Sequence, residues 1–168
     1  GRGGSDTTAV ALAAALEADY CEICSDVDGV YSGDPRLGEA PRLPEAISCD
    51  EMQELAEHGA RVLCPQAVEF ARRAGIAIYA RATAQAPLAQ GGTRVGGAAE
   101  GGERRGAIGV AGMKDLTRVH VKGGRGAELL AALARDAVPL KRIVHHADGA
   151  TALFPRDDLP DWPAVRGR

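Results

Sequence analysis

Aromatic side chains are scarce in this chain, with two Phe, three Tyr and one Trp among 168 residues. A surface that binds single-stranded nucleic acid stacks bases on such rings, so few rings leave little platform. A basic excess is missing too: twenty Lys and Arg face 23 Asp and Glu, for a net charge of −3. No nucleic-acid partner is expected. Apolar runs stay well short of the roughly 18–20 residues that a membrane helix requires, and no charged-then-apolar leader opens the chain. These absences lead us to expect a cytoplasmic protein with no membrane partner. Cysteine is also sparse, at four residues. Cys21-x-x-Cys24 has the look of half a metal or redox motif, but it falls in a segment that reads as a strand. Side chains three apart on a strand point to opposite faces, so the two thiols cannot easily share one ion. No metal site is expected, and all four thiols are read as reduced.

The chain has length for one or two domains, and its pattern alternates. Ser5 or Asp6 can cap a helix over residues 7–17, where Ala and Leu dominate. Residues 20–24 read as a short buried strand, and residues 27–36 as a loop rich in turn formers. Pro41 and Pro44 oppose helix in the stretch that follows. Ser48-x-x-Glu51 is a capping box, starting a helix that runs to about His58 and stops at Gly59. Val62 and Leu63 suggest a brief extended segment. Pro65 suits a first helical turn, with a helix over residues 67–74 closed by Gly75, and residues 76–80 read as a strand leading to Arg81. Helices alternating with short strands predict an α/β layer structure with a largely parallel sheet.

From residue 82 to 105 Gly and Ala take over, and the composition reads as linker. Beyond it, residues 107–111 and 117–121 read as strands, 126–136 as a helix with Leu129, Leu130 and Leu133 on one side, and 140–146 and 151–154 as two more strands. Residues 147–150 form the hairpin turn between the last two. Strand, helix, strand, strand is most of a ferredoxin-like βαββαβ unit, whose last helix and strand would lie past Pro155. The resulting division is 1–84, a linker at 85–106, and 107–168.

Chemistry concentrates near the start. Gly3 and Gly4 allow close backbone approach, Ser5 adds a hydroxyl, and the positive end of a helix faces the same spot. Such a turn receives a phosphate or carboxylate, or simply lets elements pack tightly. Asp26, Asp28 and Asp34 lie close together with Tyr31 and Arg36 among them. Acidic loops hold magnesium through water or bind nucleotide hydroxyls, and the planar fork of Arg36 can grip phosphate. The competing reading is a loop that bonds its own backbone, with Arg36 paired to Asp34.

Two segments, Gly1-Arg-Gly-Gly-Ser-Asp-Thr-Thr8 and Ser25-Asp-Val-Asp-Gly-Val-Tyr-Ser-Gly-Asp-Pro-Arg36, resemble the GRGGSDTTA and SDVDGVYTADPR stretches of the aspartate kinases nearly residue for residue. The resemblance covers residues 1–81 strongly. Residues 107–154 resemble, more loosely, the small-molecule-sensing ACT domain that follows the catalytic domain in that family. The resemblance implies a partial amino-acid-kinase-like α/β/α domain followed by a partial ACT domain. It implies transfer of the γ-phosphoryl of magnesium-ATP to the side-chain carboxylate of L-aspartate, the entry to lysine, threonine and methionine synthesis. By the same resemblance Arg2, Gly3, Gly4 and Ser5 place the acceptor, with Ser5 also reaching the nucleotide. Cys24, Ser25, Val30, Tyr31, Ser32, Gly33, Asp34, Pro35 and Arg36 line the nucleotide. Arg61, in Ala60-Arg-Val-Leu63, stands where the family usually has a phosphate-contacting Lys and is the expected catalytic residue. ATP and Mg2+ are the expected cofactors, lysine or threonine the expected effectors, and an oligomer built through ACT domains the expected assembly.

Departures accompany the likeness. Cys24 stands where Tyr is common, Cys64-Pro-Gln66 replaces an HPR-like triplet, and Arg81-Ala-Thr83 stands for the family's RSS. The chain opens on Gly1 inside the first motif, and the family's KFGGTS segment is not in it. A piece of a longer enzyme, inactive or nearly so alone, is therefore expected. The rival readings are another amino-acid kinase and a non-catalytic regulatory module that binds lysine or threonine. His145 and His146 are adjacent on a strand, face opposite ways, and are not expected to share a site. Trp162 is expected to cover a hydrophobic edge.

Overall fold

A computed structural model describes residues 3–43, 46–84, 91–96, 106–138 and 140–156. The chain divides into two compact units, Gly1–Gly112 and Met113–Arg168.

The first unit opens with helix α1, Gly4–Ala15. It begins three residues before the expected start. Gly3 takes a left-handed φ of 83° as N-cap, and no side chain caps the helix. Ser5 and Asp6 thus lie inside the first turn, which frees the Asp6 carboxylate for a distant partner. Strand β1, Tyr20–Ser25, buries Cys21 and exposes Cys24, the alternation a pleated strand imposes. A two-residue strand β2, Ala46–Ile47, precedes helix α2, Cys49–Glu57. The expected capping box is present at its start: Ser48 Oγ accepts the Glu51 N–H at 3.1 Å, and Glu51 Oε2 accepts the Ser48 N–H at 2.8 Å. Helix α3, Pro65–Ala74, carries Pro at its first position and closes on Gly75 in the left-handed region, with φ 68°. Val62 and Leu63 form a bend rather than a strand, and neither pairs with a strand among the described residues.

Strand β3, Ala77–Ala82, pairs in parallel with β1, and strand β4, Thr93–Val95, runs antiparallel to β3. The sheet order is β1-β3-β4-β2. Composition assigned 85–106 to linker, yet β4 lies inside that stretch; its Thr-Arg-Val sequence pairs well but is diluted by surrounding Gly and Ala. Residues 107–111, expected as a strand, are not one. They lie on the first unit instead, with the Val110 N–H donating to the Ser32 carbonyl at 2.7 Å and Ile108 and Ala111 packed on the core. That core joins Val10 and Ala13 of α1, Met52 and Leu55 of α2, Ala67, Val68 and Ala71 of α3, and Ile47, Ile78 and Val95 of the sheet. Removing a Val- or Ile-sized side chain from water stabilises by about 1.5–3 kcal/mol, so this cluster fixes how the helices lie on the sheet.

In the second unit strand β5, Leu116–Lys122, leads to helix α4, Gly126–Arg135, and then to the hairpin of β6, Arg142–His146, and β7, Gly149–Pro155. The antiparallel order is β5-β7-β6, that of the first three strands of a βαββαβ unit. The expected final helix and strand, with Trp162, lie outside the described residues. Leu133, Val138, Ala152 and Phe154 form the core, with Val119 and Leu129 against it, while Leu130 is 36% exposed. Pairing of His120 with Thr151 and of Val144 with Thr151 puts Arg118, His120, Lys122, Arg142 and His146 on the sheet face away from that core.

Candidate active site

Each of α1 and α3 is followed by a short connection and then by the strand it packs on. Helix and strand therefore run in opposite directions, and the N-termini of α1 and α3 stand at the edge where β1 and β3 end, at Ser25 and Ala82. Ligands of open α/β sheets bind at that edge, because loops and helix N-termini gather there. Helix N-termini also carry unpaired N–H groups and partial positive charge, which favour an anion.

Contact between the two helices is close. A Cβ at Gly3 would lie 2.5 Å from the Cys64 Sγ, so only glycine fits there, at a φ that other residues rarely adopt. Asp6 Oδ2 accepts the Cys64 N–H at 3.2 Å, and the Cys64 thiol donates to Gln66 Oε1 at 2.7 Å. These contacts tie residues 60–64 to the first turn of α1. Arg61 lies on the segment that meets Gly3, Asp6 and Thr7 through Cys64; its side chain is exposed and makes no ion pair with another described residue. Burial, with Asp6 and Glu22 adding to it, pushes the Cys21 thiol upward, which keeps it protonated.

Across the strand ends, the Thr83 N–H and hydroxyl both donate to the Ser25 carbonyl, at 2.9 and 3.0 Å. Ser25 Oγ accepts the Val27 N–H at 3.2 Å and begins the loop. Val30 is buried, and a bridge pairs Tyr31 with Arg42. The Tyr31 hydroxyl donates to Asp28 Oδ1 at 2.6 Å; this bond, more than desolvation or the Asp28 charge, holds the phenol above its ordinary range. Arg36 Nε and Nη2 grip both carboxylate oxygens of Asp34 at 2.9 and 3.1 Å. That hydrogen bond, followed by the Asp34 charge, raises the Arg36 guanidinium further. The pairing of Arg36 with Asp34 weighed from sequence is therefore present.

Gly3 and the segment of Arg61 are brought together through Cys64, Gly4 and Ser5 follow Gly3 in the first turn of α1, Cys24 and Ser25 stand at the strand end, and residues 30–36 form the loop beyond. Arg2 lies outside the described residues. Two residues escaped sequence reasoning. Asp6 was legible only as a cap, and Thr93 sat in a stretch read as linker. His145 and His146 face opposite ways as expected. His146 Nε2 and His120 Nδ1 both meet the Thr151 hydroxyl, at 3.0 and 2.9 Å, while His145 lies against Gly126. The described residues hold no group of three His, Cys, Asp or Glu able to bind a metal, and no helix among them is long and apolar enough to cross a membrane.

Residues 1–81 match the amino acid kinase family. Over 95% of its length the chain is 40% identical to an aspartokinase of Corynebacterium efficiens, of which it spans 41%. The chain is similar to the aspartokinases along nearly all of its length. Two solved aspartokinases share the fold across nearly all of it. The enzyme of Clostridium acetobutylicum matches 98% of the chain with a TM-score of 0.76 at 26% identity, and the chain covers 40% of it. Escherichia coli aspartokinase III, solved with aspartate and ADP, matches 95% with a TM-score of 0.68 at 28% identity, and the chain covers 36% of it. The chain thus spans about two fifths of the aspartokinases it resembles, and its likeness to them runs through both units.

Proposed function

We propose that this chain supplies the nucleotide and acceptor end of an aspartate kinase, transferring the γ-phosphoryl of magnesium-ATP to the side-chain carboxylate of L-aspartate to give 4-phospho-L-aspartate. The observation that carries this reading is the convergence of the α1 and α3 N-termini, Gly3 against Cys64, at the edge where β1 and β3 end. Phosphoryl transfer asks mainly for positioned donors around spreading negative charge. Gly3, Gly4 and the first-turn amides of α1 offer backbone donors, Ser5 a hydroxyl, and Arg61 an exposed positive charge with no ion-pair partner among the described residues. Arg2 joins them as an acceptor-binding residue. Cys24, Ser25 and residues 30–36 cradle the nucleotide. Magnesium keeps several waters and binds chiefly through substrate phosphates, so it arrives with the nucleotide and needs no cage of protein ligands. The ADP and aspartate bound to the E. coli relative support the same assignment.

The second unit is read as the start of an ACT-type regulatory domain, through which lysine or threonine acts and chains associate. Its β5-β7-β6 order favours this. At Gly126, the first residue of α4, a Cβ would lie 3.0 Å from the Ala150 Cβ, so glycine there allows close packing. Calorimetric titration of the chain with MgADP, aspartate, lysine and threonine tests both parts. Nucleotide uptake that is lost on Arg61→Ala supports the kinase reading. Heat from lysine or threonine alone, with none from nucleotide, replaces it by a regulatory module. The chain alone is expected to show little or no aspartyl phosphate formation in a coupled ADP assay.

A further inference from the structure

The loop assigned to the nucleotide is held by its backbone rather than by its side chains. The Val30 N–H donates to Thr93 Oγ1 at 2.9 Å, and the Val30 carbonyl accepts the Leu43 N–H at 2.7 Å. The Ser32 N–H donates to the Pro41 carbonyl at 2.9 Å, and the Ser32 carbonyl accepts the Val110 N–H at 2.7 Å. All four backbone polar groups of these two residues are consumed inside the protein. In an extended segment the groups of the residue between them point the other way, so the backbone groups of half-buried Tyr31 face away from those partners.

Three of those four bonds are made by backbone and survive most substitutions. The fourth depends on one hydroxyl. Thr93 is fully buried and Val30 is 1% exposed, so losing the hydroxyl would leave a buried amide without its partner. The loop also rests directly on that hydroxyl: a Cβ built on Gly29 would lie 2.8 Å from Thr93 Oγ1. Building on the nucleotide reading above, we propose that Thr93, on the short β4 strand, is a positioning residue that sets the nucleotide loop. Its hydroxyl anchors the start of the segment whose remaining groups, at Tyr31 and beyond, meet the nucleotide.

Thr93→Val keeps the side chain's shape and removes the acceptor, whereas Thr93→Ser keeps the acceptor. Amide hydrogen exchange and MgADP titration of the chain read the two consequences. In Thr93→Val, exchange at Val30 is expected to quicken about tenfold or more relative to amides of α3, with ADP affinity falling about tenfold because the competent loop is less populated. Thr93→Ser restores both. Gly29→Ala, which pushes the loop off an intact Thr93, is expected to show the same pair of changes should Thr93→Val fold poorly. The proposal is overturned if Thr93→Val leaves Val30 exchange or ADP affinity unchanged, or if exchange quickens evenly through the first unit. Absence of ADP binding in the wild-type chain instead defeats the nucleotide reading, and the role of Thr93 toward nucleotide with it; exchange at Val30 then still reports whether the anchor exists.

Discussion

The candidate active-site end of the first unit and the outer sheet face of the second gather polar groups by opposite routes. In the first, Gly3, Asp6 and Cys64 meet through contacts between residues 58 or more apart, and backbone atoms carry much of the chemistry. In the second, strand register alone lines up His120, Thr151 and His146, with side chains carrying everything and the backbone occupied by the ladder. A side-chain change at the outer face leaves the backbone where it is. A change at the first site moves the backbone itself.

The sharpest way to break this comparison is to remove the core that holds the second ladder. Phe154→Ala empties a site that is 1% exposed and is expected to cost about 3–5 kcal/mol, more than so small a unit can lose. Amide dispersion of residues 116–155 should collapse in NMR spectra, and persistence of that dispersion would show the register to be set elsewhere. Gly3→Ala comes next, because the new Cβ meets the Cys64 side chain at a strained φ. A loss of about 1–3 kcal/mol in urea unfolding is expected, partly recovered when Cys64→Gly removes the clash.

Tyr31 offers a milder test through pH. Its folded pKa is raised by the bond to Asp28, so the stabilisation is complete below the unfolded tyrosine value near 10 and is lost as pH rises through the folded value. Ultraviolet titration of tyrosinate should show one late-titrating phenol that moves to lower pH in Asp28→Asn. The smallest effect is expected on the outer face. His146→Ala removes one exposed bond to Thr151 and should change stability by no more than about 0.5 kcal/mol. A larger loss would mean that the face carries more than its register.

Local signals were legible where one segment decides the outcome. Ser48 and Glu51 announce their capping box, Gly75 its helix end, and the alternation at residues 117–121 its strand. The kinase motif also located the strand end at Ser25 and the loop beyond. What escaped depends on partners far away in sequence. Asp6 looks like a cap until α3 is seen beside it, and the Gly3 φ decides where α1 begins. Thr93 and Val95 are ordinary strand residues hidden by glycines, and residues 107–111 have strand composition but find their partner in a loop rather than a ladder. Composition averages over neighbours in the chain, whereas these roles are set by neighbours in space.

The salt link between Arg36 and Asp34 means that the guanidinium already carries a counter-ion before any ligand arrives. A phosphate competing for that fork must evict a carboxylate, leaving Asp34 uncovered beside the newcomer's own negative charge. Exchange of one anion for another yields far less than capture by a bare cation.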